Sequence, residues 1–70
     1  MATTTTGQKI REARLERRMT QSDLARALGV ESITVSRWER DAVEPSLLNV
    51  YRLADELGLP VAHFMDGAAA

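Results

Sequence analysis

Apolar residues recur along the chain at helical spacing, in short clusters separated by polar punctuation, and no stretch alternates with the two-residue period of a strand. Ile10, Ala13 and Arg14, with Leu15 at the edge, mark a first helix that ends near Arg17 or Arg18. Thr20 offers a hydroxyl N-cap with Asp23 three residues on, a capping-box-like signature that starts a second helix at Gln21. Leu24, Ala25 and Leu28 form its apolar stripe. Gly29 stops it, because the left-handed backbone that ends a helix is tolerated best by glycine. A third helix begins near Ser32, buries Val35 and Trp38, and ends around Asp41. Past the loop AVEP, Pro45 with Ser46 opens a fourth helix through Leu47, Val50, Tyr51, Leu53, Ala54 and Leu57 to a stop at Gly58. A short fifth turn carries Val61, Phe64 and Met65. The predicted fold class is therefore all-α, a compact five-helix domain.

The polar tract ATTTT and the tail GAAA lie outside this pattern. Residues 1–6 and 67–70 are expected to be flexible tails around one domain at 7–66. Between helices two and three the spacing is specific. Counted from Gln21, the fifth position is Ala25, small enough for two helices to cross closely, and the ninth is Gly29, where the turn needs positive φ. Leu24, Leu28, Val30, Val35 and Trp38 then fall where a helix-turn-helix must bury side chains. An ordinary antiparallel helix pair would explain any one of these residues, but not the set.

The set closely resembles the phage lambda repressor and Cro type of helix-turn-helix DNA-binding domain. The likeness runs through KIREARLERRMTQSDLARALGVESITVSRWERD, EPS, LADELGLP and HFM, and is most specific at MTQSDLA, ALGV and SRWER. It implies a compact lambda-repressor-like fold in which the third helix lies in the major groove and the second crosses it with its N-terminus toward phosphate. It further implies control of transcription, usually by a homodimer on a near-palindromic operator.

Turning the third helix by about 100° per residue puts Val35 and Trp38 on one side and Ser32, Ile33, Ser36, Arg37 and Arg40 on the other. On that second side Arg37 can donate two hydrogen bonds to guanine, Ser32 and Ser36 can reach base edges, and Ile33 can touch a thymine methyl. A merely solvated polar face is the plainer alternative, and Ile33 at its centre weighs against it. Gln21, in the first turn of helix two, is placed to hold a phosphate oxygen. By resemblance it also braces the start of the third helix at Ser32. Arg40 and Ser46 are the other phosphate candidates, whereas Arg11, Arg17 and Arg18 fit a solvated face equally well. By resemblance again, Arg14 and Glu39 form a structural ion pair that ties helix one to the third helix.

Three positions depart from the family pattern. Glu31 replaces a small hydroxyl residue that would cap helix three, and its charge repels phosphate. Asp41 stands for a glycine, tolerating left-handed geometry but adding negative charge. Arg18 stands where glycine often ends helix one.

Charge supports an anionic partner only for the first half of the chain. The formal net charge is −1. Up to Arg40 there are eight bases and five acids, net +3, and from Asp41 onward only Arg52 opposes five acids, net −4. The apolar residues Leu59, Val61, Phe64 and Met65 exceed what one short helix can hide, so a dimer contact is expected there.

With no cysteine and His63 as the single histidine, neither a metal site nor nucleophilic catalysis is expected, and no cofactor is implied. His63 beside Phe64 reads as a packing residue. The N-terminal MATTTTGQK has no apolar stretch of a signal peptide and no run is long enough to span a membrane, so the expected location is the cytoplasm, at the nucleoid when bound to DNA. Two other functions fit the same residues: an antitoxin that uses this helix on DNA and another face on its toxin, and a protein-interaction module that has lost DNA binding, in keeping with a pI near 5.7. In either case, or if a missing effector domain completes the regulator, a protein partner joins or replaces the DNA.

Overall fold

The computed structural model describes residues 4–69, those after Met65 by their backbone alone. Five helices follow one another: α1 (Thr6–Glu16), α2 (Gln21–Leu28), α3 (Ser32–Glu39), α4 (Leu47–Leu57) and α5 (Val61–Ala69). There is no strand among the described residues. The fold is the all-α, five-helix class expected from the apolar periodicity.

Local chemistry sets most of the boundaries. At α2 the Thr20 hydroxyl accepts from the Asp23 N–H at 2.9 Å while the Asp23 carboxylate accepts from the Thr20 N–H at 2.9 Å, a complete capping box. Gly29, at φ 72°, closes the helix, and the Val30 N–H reaches back to the Ala25 carbonyl at 3.0 Å. α1 ends at Glu16 with Arg18 left-handed at φ 56°, at the position where the resemblance led us to expect a glycine.

The packing joins these pieces around one core. α1 rests on α3, α4 and α5, α2 on α3 and α4, and α4 on α5. Ile10, Leu24, Val35, Leu53, Leu57 and Phe64 are essentially sealed from solvent, and Trp38 closes the core under α3. His63 stacks edge-on against Phe64 at 5.1 Å.

Several boundaries and surfaces differ from the expectation. α1 starts before Gly7: Thr5 is its N-cap, in a capping box with Gln8 that takes in part of the threonine tract. Thr6 donates its hydroxyl to the Phe64 carbonyl at 3.2 Å. Of the tails expected at 1–6 and 67–70, residues 1–3 and 70 lie outside the described residues. α3 ends at Glu39, with Arg40 as its C-cap and Asp41 left-handed at φ 58°. Pro45 precedes the N-cap Ser46 instead of opening α4. α5 runs nine residues, more than a turn. Of the residues expected at a dimer contact, Phe64 is buried in the core, and Leu59, Val61 and Met65 pack against it while staying partly exposed. The exposed apolar residues lie elsewhere, four of them from Val43 to Tyr51.

Candidate nucleic-acid interface

The short helix α3 has two sides of different chemistry. Val35 and Trp38 anchor one side in the core. On the other, Ser32, Ile33, Arg37 and Arg40 are exposed and Ser36 is half-buried. A straight helix thus presents a hydroxyl, a branched alkyl group and two guanidinium groups on one strip, a mixture that can meet the donors, acceptors and methyl groups of a base-pair edge. The Arg37 side chain makes no hydrogen bond or ion pair among the described residues. That of Arg40 makes one long hydrogen bond, from Nε to the Ser36 carbonyl at 3.4 Å. Glu31, at the N-cap of α3, makes no capping hydrogen bond through its side chain.

α3 is held in place by a buried polar network. Arg14 Nε donates to Glu39 Oε2 at 2.6 Å and Nη2 to Glu39 Oε1 at 3.0 Å, a two-point ion pair between α1 and the end of α3. Arg14 Nη1 donates to the Met19 carbonyl at 2.7 Å, so the same side chain spans the α1–α2 turn. The hydrogen bond to Glu39 raises the Arg14 pKa further above its ordinary value, against the opposing effect of burial. No buried side-chain polar atom among the described residues is left without a partner.

Gln21 belongs to this network. Its Nε2 donates to Glu39 Oε1 at 3.1 Å, so the side chain braces the end of α3 and not Ser32 at its start. An amide nitrogen has a second N–H, and Gln21 is only half-buried, which leaves it able to reach an anion at the N-terminus of α2. Ser46 is exposed, and its oxygen accepts from the Asn49 N–H at 3.2 Å as the cap of α4. Its hydroxyl proton stays available for a second acceptor.

One set of residues is not apparent from the sequence pattern. The Gly7 N–H donates to Asp41 Oδ1 at 3.0 Å and the Thr5 hydroxyl to Asp41 Oδ2 at 2.6 Å. Asp41 therefore joins the end of α3 to the start of α1, on top of the local cost of its left-handed backbone. The spacing Thr5-x-x-Gln8 is the signal that could have found it, since it marks a helix start inside the threonine run.

A helix-turn-helix family model matches residues 10–64. The chain is 40% identical over 53 residues to the HTH-type transcriptional regulator DicA of Escherichia coli strain K12, covering 76% of this chain and 39% of that protein. It is 35% identical over 57 residues to the cryptic phage CTXphi transcriptional repressor RstR of Vibrio cholerae, covering 81% of this chain and 51% of that one. The chain thus spans about half the length of these relatives or less. Its fold superposes on the P22 c2 repressor in complex with synthetic operator 9T with a TM-score of 0.85 and 29% identity, covering 89% of this chain and 94% of that one.

Proposed function

The chain belongs to the helix-turn-helix family, and from that premise we propose that it is a sequence-specific, double-stranded-DNA-binding regulator of transcription, repressor-like in action. The observation that carries this proposal is the exposed strip Ser32–Ile33–Ser36–Arg37–Arg40 on a helix whose other side is locked by Trp38 and by the Arg14–Glu39 pair. In this function α3 enters the major groove, where Arg37 reads guanine, Ile33 meets a thymine methyl, and Ser32 and Ser36 contact base edges. Gln21, Arg40 and Ser46 hold phosphates on either side. The likeness to a repressor solved on its operator supports the docking, and the repressor relatives support the direction of control.

A single helix reads too few base pairs to find a site in a genome, so two copies act on a two-fold operator with half-site centres about 34 Å apart. No catalytic step and no cofactor enters this function. The protein works in the cytoplasm, on the nucleoid when bound; no helix among the described residues is long and apolar enough to cross a membrane.

Selection from a random duplex pool, followed by titration of the recovered sequence at two salt concentrations, tests the proposal. A recovered consensus, bound with an affinity that falls steeply as salt rises, is expected, since phosphate neutralisation releases counterions. Recovery of no consensus, with no salt-dependent binding, would overturn it.

A further inference from the structure

Three helices, α1, α2 and α4, begin on a hydroxyl N-cap: Thr5, Thr20 and Ser46 each accept from the backbone N–H three residues on. α3 departs from them. Its N-cap, Glu31, makes no such bond, although its extended backbone, at φ −82° and ψ 150°, is close to that of the other three. The side chain is what differs. One methylene longer than the good cap aspartate, it carries its charge beyond the N–H groups of the first turn. The carboxylate is exposed, has no hydrogen bond or ion pair among the described residues, and directly precedes the exposed Ser32 and Ile33.

We infer that Glu31 is a specificity-determining residue of the DNA interface, its carboxylate accepting a hydrogen bond from the N4 amino group of a cytosine in the major groove. This rests on the DNA-binding function proposed above, in which the N-terminal end of α3 meets base edges. An ionised carboxylate can only accept hydrogen bonds. The major groove offers it two donors, the N6 amino group of adenine and the N4 amino group of cytosine. The adenine group lies between two acceptors, its own N7 and the O4 of thymine, whereas the cytosine group has an acceptor, O6 of the paired guanine, on one side alone. Repulsion is therefore smaller at cytosine.

The same charge works against every other way of binding. On DNA that offers Glu31 no amino group, the carboxylate meets phosphate repulsion with nothing gained in return, so discrimination comes from the wrong sequences as much as from the right one. Arg37 and Glu31 also divide the groove between them. The guanidinium has no acceptor for a cytosine amino group, and the carboxylate has no donor for guanine O6 and N7. Each rejects the base that the other selects. Sliding α3 along the groove until Glu31 faces guanine, or Arg37 a cytosine amino group, loses a contact and adds a repulsion, and the two opposite charges together fix the register of the helix.

The test compares the wild type with Glu31→Gln, which keeps the length of the side chain and removes its charge. Because Glu31 makes no capping bond, the two proteins should melt alike. Each is used to select sequences from a random duplex pool. The two consensus sequences should agree except at one base pair per half-site, where the wild type requires cytosine and Glu31→Gln accepts other bases, since a carboxamide donates as well as accepts. The wild-type duplex is then made with N4-methylcytosine at that position, which keeps the Watson–Crick pair and replaces the N–H in the major groove by a methyl group. Wild-type affinity should fall about tenfold, and that of Glu31→Gln should change much less. On random duplex Glu31→Gln should bind more tightly than the wild type. If Glu31→Gln returns the same consensus and tightens all sequences alike, the carboxylate is only a solvated charge that repels phosphate, and the assignment is wrong. Equal sensitivity of both proteins to N4-methylation also overturns it. A wild type that selects no consensus removes the DNA function and this assignment with it, an outcome distinct from a shared consensus.

Discussion

The Gly7 N–H and the Asp41 carboxylate meet at 3.0 Å, so the residue just past the C-cap of α3 holds the first turn of α1. No side chain fits in this approach. A Cβ on Gly7 would run into the Trp38 carbonyl oxygen and come within 2.8 Å of that of Glu39, both backbone atoms. Gly7→Ala should destabilise the domain by about 1–3 kcal/mol, the cost of forcing backbone apart in a packed site. Asp41→Gly relieves a left-handed aspartate but deletes two hydrogen bonds to a carboxylate, and is expected to lose on balance by about 1 kcal/mol. Asp41→Asn, which keeps an acceptor and tolerates the backbone, should fall between Asp41→Gly and wild type. Denaturant midpoints check the order; an Asp41→Gly protein more stable than wild type contradicts the tether.

The Arg14–Glu39 pair predicts a larger loss. Glu39→Ala leaves a buried guanidinium without its carboxylate and Gln21 without its acceptor, at a cost of about 3–5 kcal/mol, comparable with the whole stability of a domain this size. Arg14→Ala should cost a similar amount, and the double variant less than the sum of the two. Thermal melts of the three variants measure this; additive effects near zero would mean that the two charges do not support each other.

Asp23 makes stability depend on pH on the acid side. The Thr20 backbone N–H, and secondarily the Thr20 hydroxyl, hold its carboxylate below the usual aspartate range. A carboxylate depressed in the folded state contributes stability that is present above its unfolded pKa and is lost as pH falls through the folded value. Asp23→Asn should therefore be less stable than wild type near neutrality, and the gap should close as the pH is lowered through that range. Melting temperatures of both proteins from neutral to strongly acidic pH check this, and a gap independent of pH would show that the charge plays no part.

Reading and holding separate on DNA. Arg37→Ala should cost about 1–3 kcal/mol on the selected sequence and relax preference at one base pair per half-site. Arg40→Ala should weaken all sequences alike and reduce the salt slope by about one unit for each phosphate it no longer neutralises. Both should melt as the wild type does. Equal weakening on selected and random DNA for Arg37→Ala would place Arg37 on the backbone and shift the register of α3.

What the sequence made legible is what acts locally. Thr20 with Asp23, and Gly29 at its fixed distance, specify α2 and the turn through contacts within a few residues, and Val35 with Trp38 mark the buried side of α3 by period alone. The start of α1 was hidden because a repeated threonine looks unstructured, although Thr5 and Gln8 carry the capping signal. Whether Phe64 and its neighbours were core or contact depended on how α5 packs back on the core, which periodicity within α5 does not encode. Gln21 shows the same limit at the interface. Its position on α2 was readable, whereas its partner, 18 residues away on α3, was not.

The tether between Gly7 and Asp41 also orders events in time. The two residues are 34 apart in sequence, so the contact requires closing a long loop, while the caps and turn that define α2 need only near neighbours. The helix-turn-helix can be nucleated before the first turn of α1 is secured. Deleting the Asp41 carboxylate should accordingly speed unfolding and leave the refolding rate almost unchanged, since a bond formed late on the way in is among the first to break on the way out.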